Sequence, residues 1–216
     1  MLKVSIVYFM CDELKKILQK VRCLYLKYGI KSVTMDDVAH ELGISKKTLY
    51  QYVKDKNELV EQVVALEIEE GPMSPKNAHW ENLNAIEEML EVHKIVDRMV
   101  KTHNPSTEYD LKKYYPEEYQ KIQKVRRERI YNFILNNIRK GKKEGLYREE
   151  LNEEYITKLH VSRVEYAFDN DIFTTDEMSS SNLFYEVFIY HIRGIANDKG
   201  IEFLEQKLKE IENNNN

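Results

Sequence analysis

Residues 34–56, TMDDVAHELGISKKTLYQYVKDK, have the pattern of two short helices joined by a tight turn. Thr34 is a favourable N-cap, and Asp37 three positions later completes a capping box, with Asp in place of the usual Glu. Gly43 is expected to end the first helix, because glycine adopts the left-handed conformation after a helix without steric cost. The stretch therefore predicts a short first helix with a defined beginning and a defined end.

The second helix of this stretch is predicted from Lys46 to about Val53, with Ser45 as its N-cap. Leu49 and Val53 are four positions apart and are expected to face the interior. The remaining side chains supply two cations, two hydroxyl groups and an amide, and no acid. Such a surface suits phosphates and base edges, because Lys supplies charge while Thr, Tyr and Gln form hydrogen bonds. The residues expected on this outer face are Lys46, Lys47, Thr48, Tyr50 and Gln51.

This segment resembles the DNA-binding segment of the TetR/AcrR family of bacterial transcription regulators. The resemblance covers roughly residues 14–66 and includes the lead-in LYLKYGIKSVTM, the turn ELGIS and the run TLYQYVKDKNEL. There are two departures from the family pattern, since Lys47 stands where many members have Gly and Val53 where many have Phe. Because Lys47 adds a charge next to the bases, the preferred operator cannot be inferred from a relative.

The resemblance implies an all-α protein with two domains. A three-helix helix-turn-helix DNA-binding domain is expected at residues 1–55, and a larger helical domain for effector binding and dimerisation at residues 56–216. Within the larger domain, residues 56–70 are expected to form a connecting helix and residues 213–216 a disordered tail. The residues expected to contact DNA are Thr34, Ser45, Lys46, Lys47, Thr48, Tyr50, Gln51, Tyr52 and Lys56.

Two of these DNA contacts have alternatives. Lys56 lies at the start of the connecting helix, where a cation beside free backbone N–H groups would bind a phosphate; it is otherwise simply a solvated lysine. Tyr52 borders the buried side of the second helix, and the family places there an aromatic residue or His that reaches the phosphate backbone.

Charge is distributed unevenly along the chain. The 216 residues have a net charge of −4, yet residues 1–60 contain 11 Lys and Arg against 7 Asp and Glu. The rest contains 22 against 30. A mildly basic head followed by an acidic body is consistent with a protein that contacts nucleic acid at one end.

The helical pattern continues through the rest of the chain. An amphipathic helix is expected before the motif, and residues 1–10 are expected to be its extension or residues upstream of a start at Met10. A signal peptide is the third alternative, although no small-residue cleavage pattern precedes Asp12. GPMSP at residues 71–75 is the strongest break, so the connecting helix is expected to couple head and body. Polar residues 169–181 indicate a loop. The predicted helices are 12–28, 79–101, 106–115, 116–144, 152–168, 182–195 and 199–212.

Dimerisation is expected because one short recognition helix offers few contacts, whereas a two-fold dimer reads both halves of a palindrome. In relatives the last long helices form the subunit contact, which corresponds here to residues 152–168 and 182–195. Their apolar side chains suit such a contact, although they equally suit the core of the chain. The residues concerned are Val161, Val164, Phe168, Phe184, Phe188 and Ile192.

The sequence contains no recognisable catalytic or metal-binding motif such as HExxH, GxSxG or a phosphate-binding glycine loop. Glu88 and His93 share a helical face only loosely, so no metal site and no cofactor are expected. Cys11 and Cys23 are too few for a disulfide framework, and no apolar run is long enough to span a membrane. A cytoplasmic protein that is not an enzyme is the expectation.

The predicted partners are double-stranded DNA, a second copy of the chain and a small-molecule effector. Ten of the fifteen tyrosines follow residue 100 and are of the kind that lines a pocket, but the sequence does not identify the pocket residues. An effector bound to the body is expected to move helix 56–70 and to spread the two heads. A regulator without a ligand, whose body only dimerises or binds a protein, remains the alternative.

Overall fold

The computed structural model describes residues 2–71, 74, 80, 82–102, 104–167, 173, 174, 177 and 180–214. Within these ranges the chain is all-α and forms ten named helices. Apart from them there is an isolated antiparallel bridge between Tyr147 and Ala196. The helices are α1 (Leu2–Tyr28), α2 (Met35–Leu42), α3 (Lys46–Leu49), α4 (Lys56–Glu70), α5 (Ala85–Lys101), α6 (Pro105–Tyr114), α7 (Pro116–Lys143), α8 (Glu153–Ala167), α9 (Ser181–Ile195) and α10 (Asp198–Asn214).

The residues pack into two compact units. The first contains residues 1–77 and 102–125, and the second contains residues 78–101 and 126–216. Helix α6 and the beginning of α7 therefore belong with the helix-turn-helix motif rather than with the rest of the body. The functional boundary predicted between residues 55 and 56 stays a prediction, because these units are defined by packing alone.

The first unit is organised around α1, which packs against α4 and α2. Val21 and Tyr25 of α1 are buried, as are Leu59 and Val63 of α4. Since these side chains recur every three or four positions, each helix presents a continuous apolar stripe to the same core. The partly buried residues Leu111, Tyr115 and Ile122 from α6 and α7 also pack against this core.

The second unit has its own core, in which α5 packs against α9. Apolar side chains of both helices are buried, including Ile86, Met89 and Ile192. A buried polar network holds α7 in place: Tyr147 Oη donates to Asn137 Oδ1 at 3.0 Å, and Asn137 Nδ2 donates to the backbone oxygen of Ala85 at 2.8 Å. Each of these polar groups is satisfied, so the network adds specificity without an unpaired group.

Several helix boundaries differ from the sequence prediction. Helix α3 ends at Leu49 rather than near Val53, and α5 begins at Ala85 rather than at His79. The N-cap of α6 is Asn104, whose side chain accepts a hydrogen bond from the Ser106 N–H, so this helix begins at Pro105 rather than at residue 106.

At the two ends of the chain, helix extends further than the residue pattern suggested. Helix α1 begins at Leu2, so residues 2–10 extend the helix predicted from residue 12. Helix α10 continues to Asn214, through part of the predicted tail. Residues 215 and 216 lie outside the described residues, as do most of the predicted loop 169–181. None of the described helices has the length and apolar character that crossing a membrane requires.

The apolar residues proposed for the subunit contact mostly belong to the core of the chain itself. Val161, Phe184, Phe188 and Ile192 are buried within the single chain, whereas Val164 is half-buried. Phe168 lies outside the described residues. The spacing of these residues could not separate a core-facing stripe from a partner-facing one, because both are apolar and both repeat at helical intervals.

Candidate nucleic-acid interface

The helix-turn-helix is anchored by side chains that are almost completely buried. Val38 of α2 is 1% exposed, Leu49 of α3 is 0% exposed and Val53 is 2% exposed. These residues fix α3 against the core of the first unit, as the sequence predicted for Leu49 and Val53. Since one side of α3 is buried, its opposite side is presented to the exterior.

The two helices of the motif have the predicted capping geometry. Thr34 Oγ1 accepts a hydrogen bond from the Asp37 N–H, and an Asp37 carboxylate oxygen accepts one from the Thr34 N–H. The hydrogen bond that the Thr34 hydroxyl donates to the Asp37 carboxylate, and after it the one from the Thr34 N–H, lower the pKa of the Asp37 carboxyl group below its ordinary value. Gly43 adopts φ +68°, which a residue with a side chain adopts only with strain. Ser45 Oγ accepts from the Thr48 N–H at 3.0 Å and caps α3.

The outward side of α3 and the turn after it is open to solvent. Lys47 and Gln51 are exposed, and Tyr50 is 44% exposed. Tyr52 instead packs its ring partly against the core, in keeping with its position at the border of the buried side. Lys47, Tyr50 and Gln51 together offer a cation, a phenol and an amide to the solvent.

Lys46 does not stand alone on this surface. Its ammonium forms an ion pair with Asp36 of α2, with Nζ 2.9 Å from Oδ2, and this hydrogen bond raises the pKa of Lys46. The second helix itself has no acid, but the neighbouring helix supplies one. The sequence could not reveal this pairing, because the two residues are ten positions apart and face each other only after the turn forms.

Lys56 is engaged inside the first unit rather than projecting freely. Its Nζ donates to the backbone oxygen of Ile30 at 2.7 Å and to that of Lys31 at 3.4 Å. Partial burial, reinforced by the positive charge of Lys31, lowers the pKa of Lys56 below its ordinary value. Neither expectation for Lys56, a free phosphate ligand or a solvated lysine, describes this arrangement, which braces the loop before α2.

Helix α6 adds contacts to this loop that the sequence analysis missed. A carboxylate oxygen of Asp110, which is buried, accepts a hydrogen bond from the Lys31 N–H at 2.7 Å. Thr107 Oγ1 donates to the Tyr25 oxygen at 2.6 Å, and Asn104 Nδ2 donates to the Lys27 oxygen at 3.0 Å. The last two bonds satisfy carbonyl groups at the end of α1. Nothing in the sequence signals them, since each joins residues at least 77 positions apart.

The same segment matches a known family. Residues 17–63 match the model described as bacterial regulatory proteins, tetR family. The segment that carries the helix-turn-helix therefore belongs to the TetR family. TetR-family regulators bind DNA through a helix-turn-helix, and the matched residues include α2, α3 and the turn between them.

The similarity to known proteins extends beyond the helix-turn-helix. The chain is 27% identical over 173 residues to the HTH-type transcriptional regulator YvaF of Bacillus subtilis, an alignment covering 77% of this chain and 90% of YvaF. A TetR-family regulator structure from Agrobacterium tumefaciens has a TM-score of 0.63 at 14% identity, covering 87% of this chain and all of that one. A transcriptional regulator from Saccharomonospora viridis in complex with choline has a TM-score of 0.58 at 17% identity, covering 87% and 99%. These structural likenesses support the all-helical architecture.

Proposed function

We propose that this TetR-family protein is a cytoplasmic repressor that binds a palindromic operator as a homodimer and is released by a small-molecule effector. The observation that carries the proposal is that α3 has one buried side and one solvent-exposed side. Leu49 is completely buried while Lys47 and Tyr50 on the other side are open to solvent. A short helix held in this way is suited to enter the major groove with its exposed side chains leading.

Different residues of the motif would contact different parts of the duplex. Lys47, Tyr50 and Gln51 are proposed to approach base edges, because they are exposed and offer charge or hydrogen bonds. The hydroxyl groups of Thr34 and Ser45 lie at the N-termini of α2 and α3 and are proposed to contact phosphates. A phosphate oxygen at such a position can also accept hydrogen bonds from backbone N–H groups. For Lys46, Thr48, Tyr52 and Lys56, contact with DNA stays a prediction.

Exposed apolar side chains of α8 and α9 are proposed to form the dimer contact. Tyr155 and Leu159 of α8 are each 66% exposed, and Tyr190 of α9 is 75% exposed. Tyr155 and Leu159 are one helical turn apart and therefore share a face. We call these three residues the α8–α9 surface. Exposing such side chains to water is unfavourable, and a second copy of the chain would cover them.

The effector signal is proposed to reach the head through α6 and α7 as well as through α4. Helix α6 holds the end of α1 through Asp110, Thr107 and Asn104. Helix α7 is continuous from the first unit into the second, with its first ten residues in the former. An effector that favours one arrangement of these helices would shift the population away from the DNA-binding state only if it binds the two states differently.

A regulator without a ligand remains the alternative. In that case the second unit would serve dimerisation or a protein partner alone. The S. viridis complex with choline shows that one protein of this fold holds a small molecule, which favours the effector hypothesis without identifying the effector here. A thermal-shift screen separates the two, because a ligand-free regulator would be stabilised by no compound in a broad library.

The DNA-binding proposal is tested by selecting bound sequences from random DNA and then measuring affinity for the selected site. The double variant Lys47→Ala with Tyr50→Ala should bind more weakly, by about 1–3 kcal/mol for each base-specific interaction that the substitutions remove. Lys209→Ala removes an exposed lysine of α10 and serves as the matched control, with unchanged affinity. Equal affinity of the double variant and the wild-type protein would mean that α3 has only a structural role.

A further inference from the structure

Three basic side chains form a compact cluster between α8 and α9 in the second unit. The rings of His160 and His191 lie 4.2 Å apart between centroids, tilted by 60°. Arg163 Nη2 is 3.0 Å from His160 Nδ1, and since a guanidinium only donates, the imidazole nitrogen accepts. We call His160, Arg163 and His191 the basic cluster. Both histidines are more than nine-tenths buried.

Two polar atoms of the basic cluster lack hydrogen-bond partners. Arg163 Nε and His191 Nε2 are buried from solvent, and neither has a partner among the residues that the structure describes. Most buried polar groups in proteins are satisfied, because an unmet donor loses its bond to water without replacement. These two atoms therefore indicate a place where a partner from outside the chain would be stabilised.

The missing partner should be an anion. Within the described part of the chain, no carboxylate forms an ion pair with Arg163, whose guanidinium instead lies over the ring of Tyr190 with 5.9 Å to the centroid. Arg163 is half-buried, and its buried Nε–H is costly to leave without an acceptor; a carboxylate matches the geometry of a guanidinium well. A metal ion between the histidines is disfavoured, because Arg163 is positive and already occupies the Nδ1 lone pair of His160.

Burial and the adjacent guanidinium also keep the histidines neutral. The pKa of His160 is lowered by burial, by His191 and by Arg163, and the pKa of His191 is lowered by burial and by Arg163. A neutral His191 that carries its proton on Nε2 is a hydrogen-bond donor. Together with the Nε–H of Arg163, it offers two donors that a single carboxylate group can accept.

We infer that the basic cluster is the effector-binding site and that it takes a small monocarboxylate with an apolar chain. The apolar part follows from the surroundings on α9, where Phe188 precedes His191 by one turn and Ile195 follows it by one turn. Both side chains are buried. This inference rests on the proposed release by an effector, and it adds the chemical class and the residues that recognise it.

The position of the basic cluster connects it to the proposed dimer contact. Arg163 contacts His160 through Nη2, and its guanidinium also lies over the ring of Tyr190, which belongs to the α8–α9 surface. A carboxylate that draws the guanidinium toward His191 would withdraw it from the Tyr190 ring. Occupation of the site would thereby change the surface on which the second copy of the chain is proposed to pack.

The test uses the full-length protein with sodium octanoate, octan-1-ol and octylamine as probes of equal chain length. Octanoate should raise the melting temperature and bind measurably by calorimetry, whereas the alcohol and the amine should not. Acetate, butyrate and decanoate then report the contribution of the apolar chain. Equal binding of octanol, preference for octylamine, or failure of every carboxylate from acetate to decanoate would overturn the inference.

Variants link the binding to the cluster. Arg163→Gln should weaken octanoate binding by about tenfold or more, because the substitution removes a charge-assisted hydrogen bond to the carboxylate. Arg193→Gln removes an exposed arginine of α9 and should bind octanoate like the wild-type protein. His191→Gln is the second probe should Arg163→Gln fold poorly. Unchanged octanoate affinity in the folded variants would contradict the assignment.

Separate readouts distinguish this inference from the proposed function. Operator affinity is measured without any probe, and carboxylate binding is measured without DNA. Loss of operator binding with intact octanoate binding would count against the repressor proposal alone. Operator binding without any response to carboxylates would overturn the basic cluster as the effector site and leave the repressor proposal standing.

Discussion

The ammonium of Lys56 donates a hydrogen bond to the backbone oxygen of Ile30 at 2.7 Å, which fastens the first turn of α4 to the loop before α2. The same loop is held from the other side by Asp110, which accepts from the Lys31 N–H. Two elements that are distant in sequence therefore fix the segment that presents the N-terminus of α2. The position of Thr34 depends on both.

Replacing Lys56 by Met should destabilise the first unit by about 1–2 kcal/mol, since the variant cannot form the hydrogen bond from a charged group but keeps the aliphatic part. Urea denaturation followed by circular dichroism measures the change. Lys54→Met, two residues earlier and exposed, is the matched control and should leave stability unchanged. If both variants were equally stable, the bracing role assigned to Lys56 would be wrong.

Gly141 of α7 and Gly194 of α9 differ in the space that is available for a side chain. A Cβ atom on Gly141 would lie 2.0 Å from the Tyr147 ring, whereas one on Gly194 would meet nothing within 4 Å. Gly141→Ala should therefore cost about 3 kcal/mol or more, because the buried ring of Tyr147 must move. Gly194→Ala should stabilise the protein by up to about 1 kcal/mol through helix propensity. Thermal unfolding of the two variants checks both signs.

Leu159→Glu should abolish the proposed dimer while leaving each chain folded, because this side chain is 66% exposed within a single copy. Analytical ultracentrifugation reports the mass, and circular dichroism reports the helix content. Leu26→Glu, an exposed leucine of α1, is the control and should stay dimeric. A dimeric Leu159→Glu variant would contradict the assignment of the dimer contact to the α8–α9 surface.

The buried histidines predict a pH dependence of stability. Burial and Arg163 lower the pKa of His160 and His191 in the folded chain, so protons bind more readily to the unfolded chain. The two histidines do not change the free energy of unfolding above pH about 6.5. Below that pH each lowers it progressively, by a slope that approaches about 1.4 kcal/mol per pH unit. The protein should therefore become less stable as the pH falls from about 6.5 to about 4.5.

Substitution isolates the contribution of these histidines from that of the carboxylates, which also titrate in this range. His191→Asn should flatten the dependence of unfolding free energy on pH, measured by urea denaturation at several pH values. His40→Asn, on the exposed side of α2, is the matched control and should retain the wild-type slope. Parallel curves for all three proteins would show that His191 does not titrate on unfolding.

Local chemistry explains what could be predicted from the sequence. Thr34, Gly43 and Ser45 determine their own surroundings, because capping bonds and a positive φ involve neighbours within a few residues. The all-α fold followed from similar local signals, namely apolar residues spaced by three and four. The end of α3 was misplaced because Leu49 and Val53 are both buried, although only Leu49 is helical.

Long-range chemistry explains what could not be predicted. The partners of Lys46, Lys56 and Asp110 are ten, 26 and 79 positions away, and no spacing rule connects them. Likewise, His160 and His191 are unremarkable in the sequence and acquire their meaning only when α8 and α9 pack. The apolar stripes of these helices were visible, yet the side that faces the core could not be separated from the exposed side.

The ion pair between Asp36 and Lys46 has a consequence for how the protein searches a chromosome. A phosphate that recruits Lys46 must first displace a carboxylate, so the exchange of one anion for another yields little net attraction. Random duplex, which offers phosphates alone, would thus be held loosely and released quickly. A site whose bases also engage Lys47, Tyr50 and Gln51 would retain the protein for longer. The carboxylate of Asp36 would therefore favour release from DNA that lacks such a site.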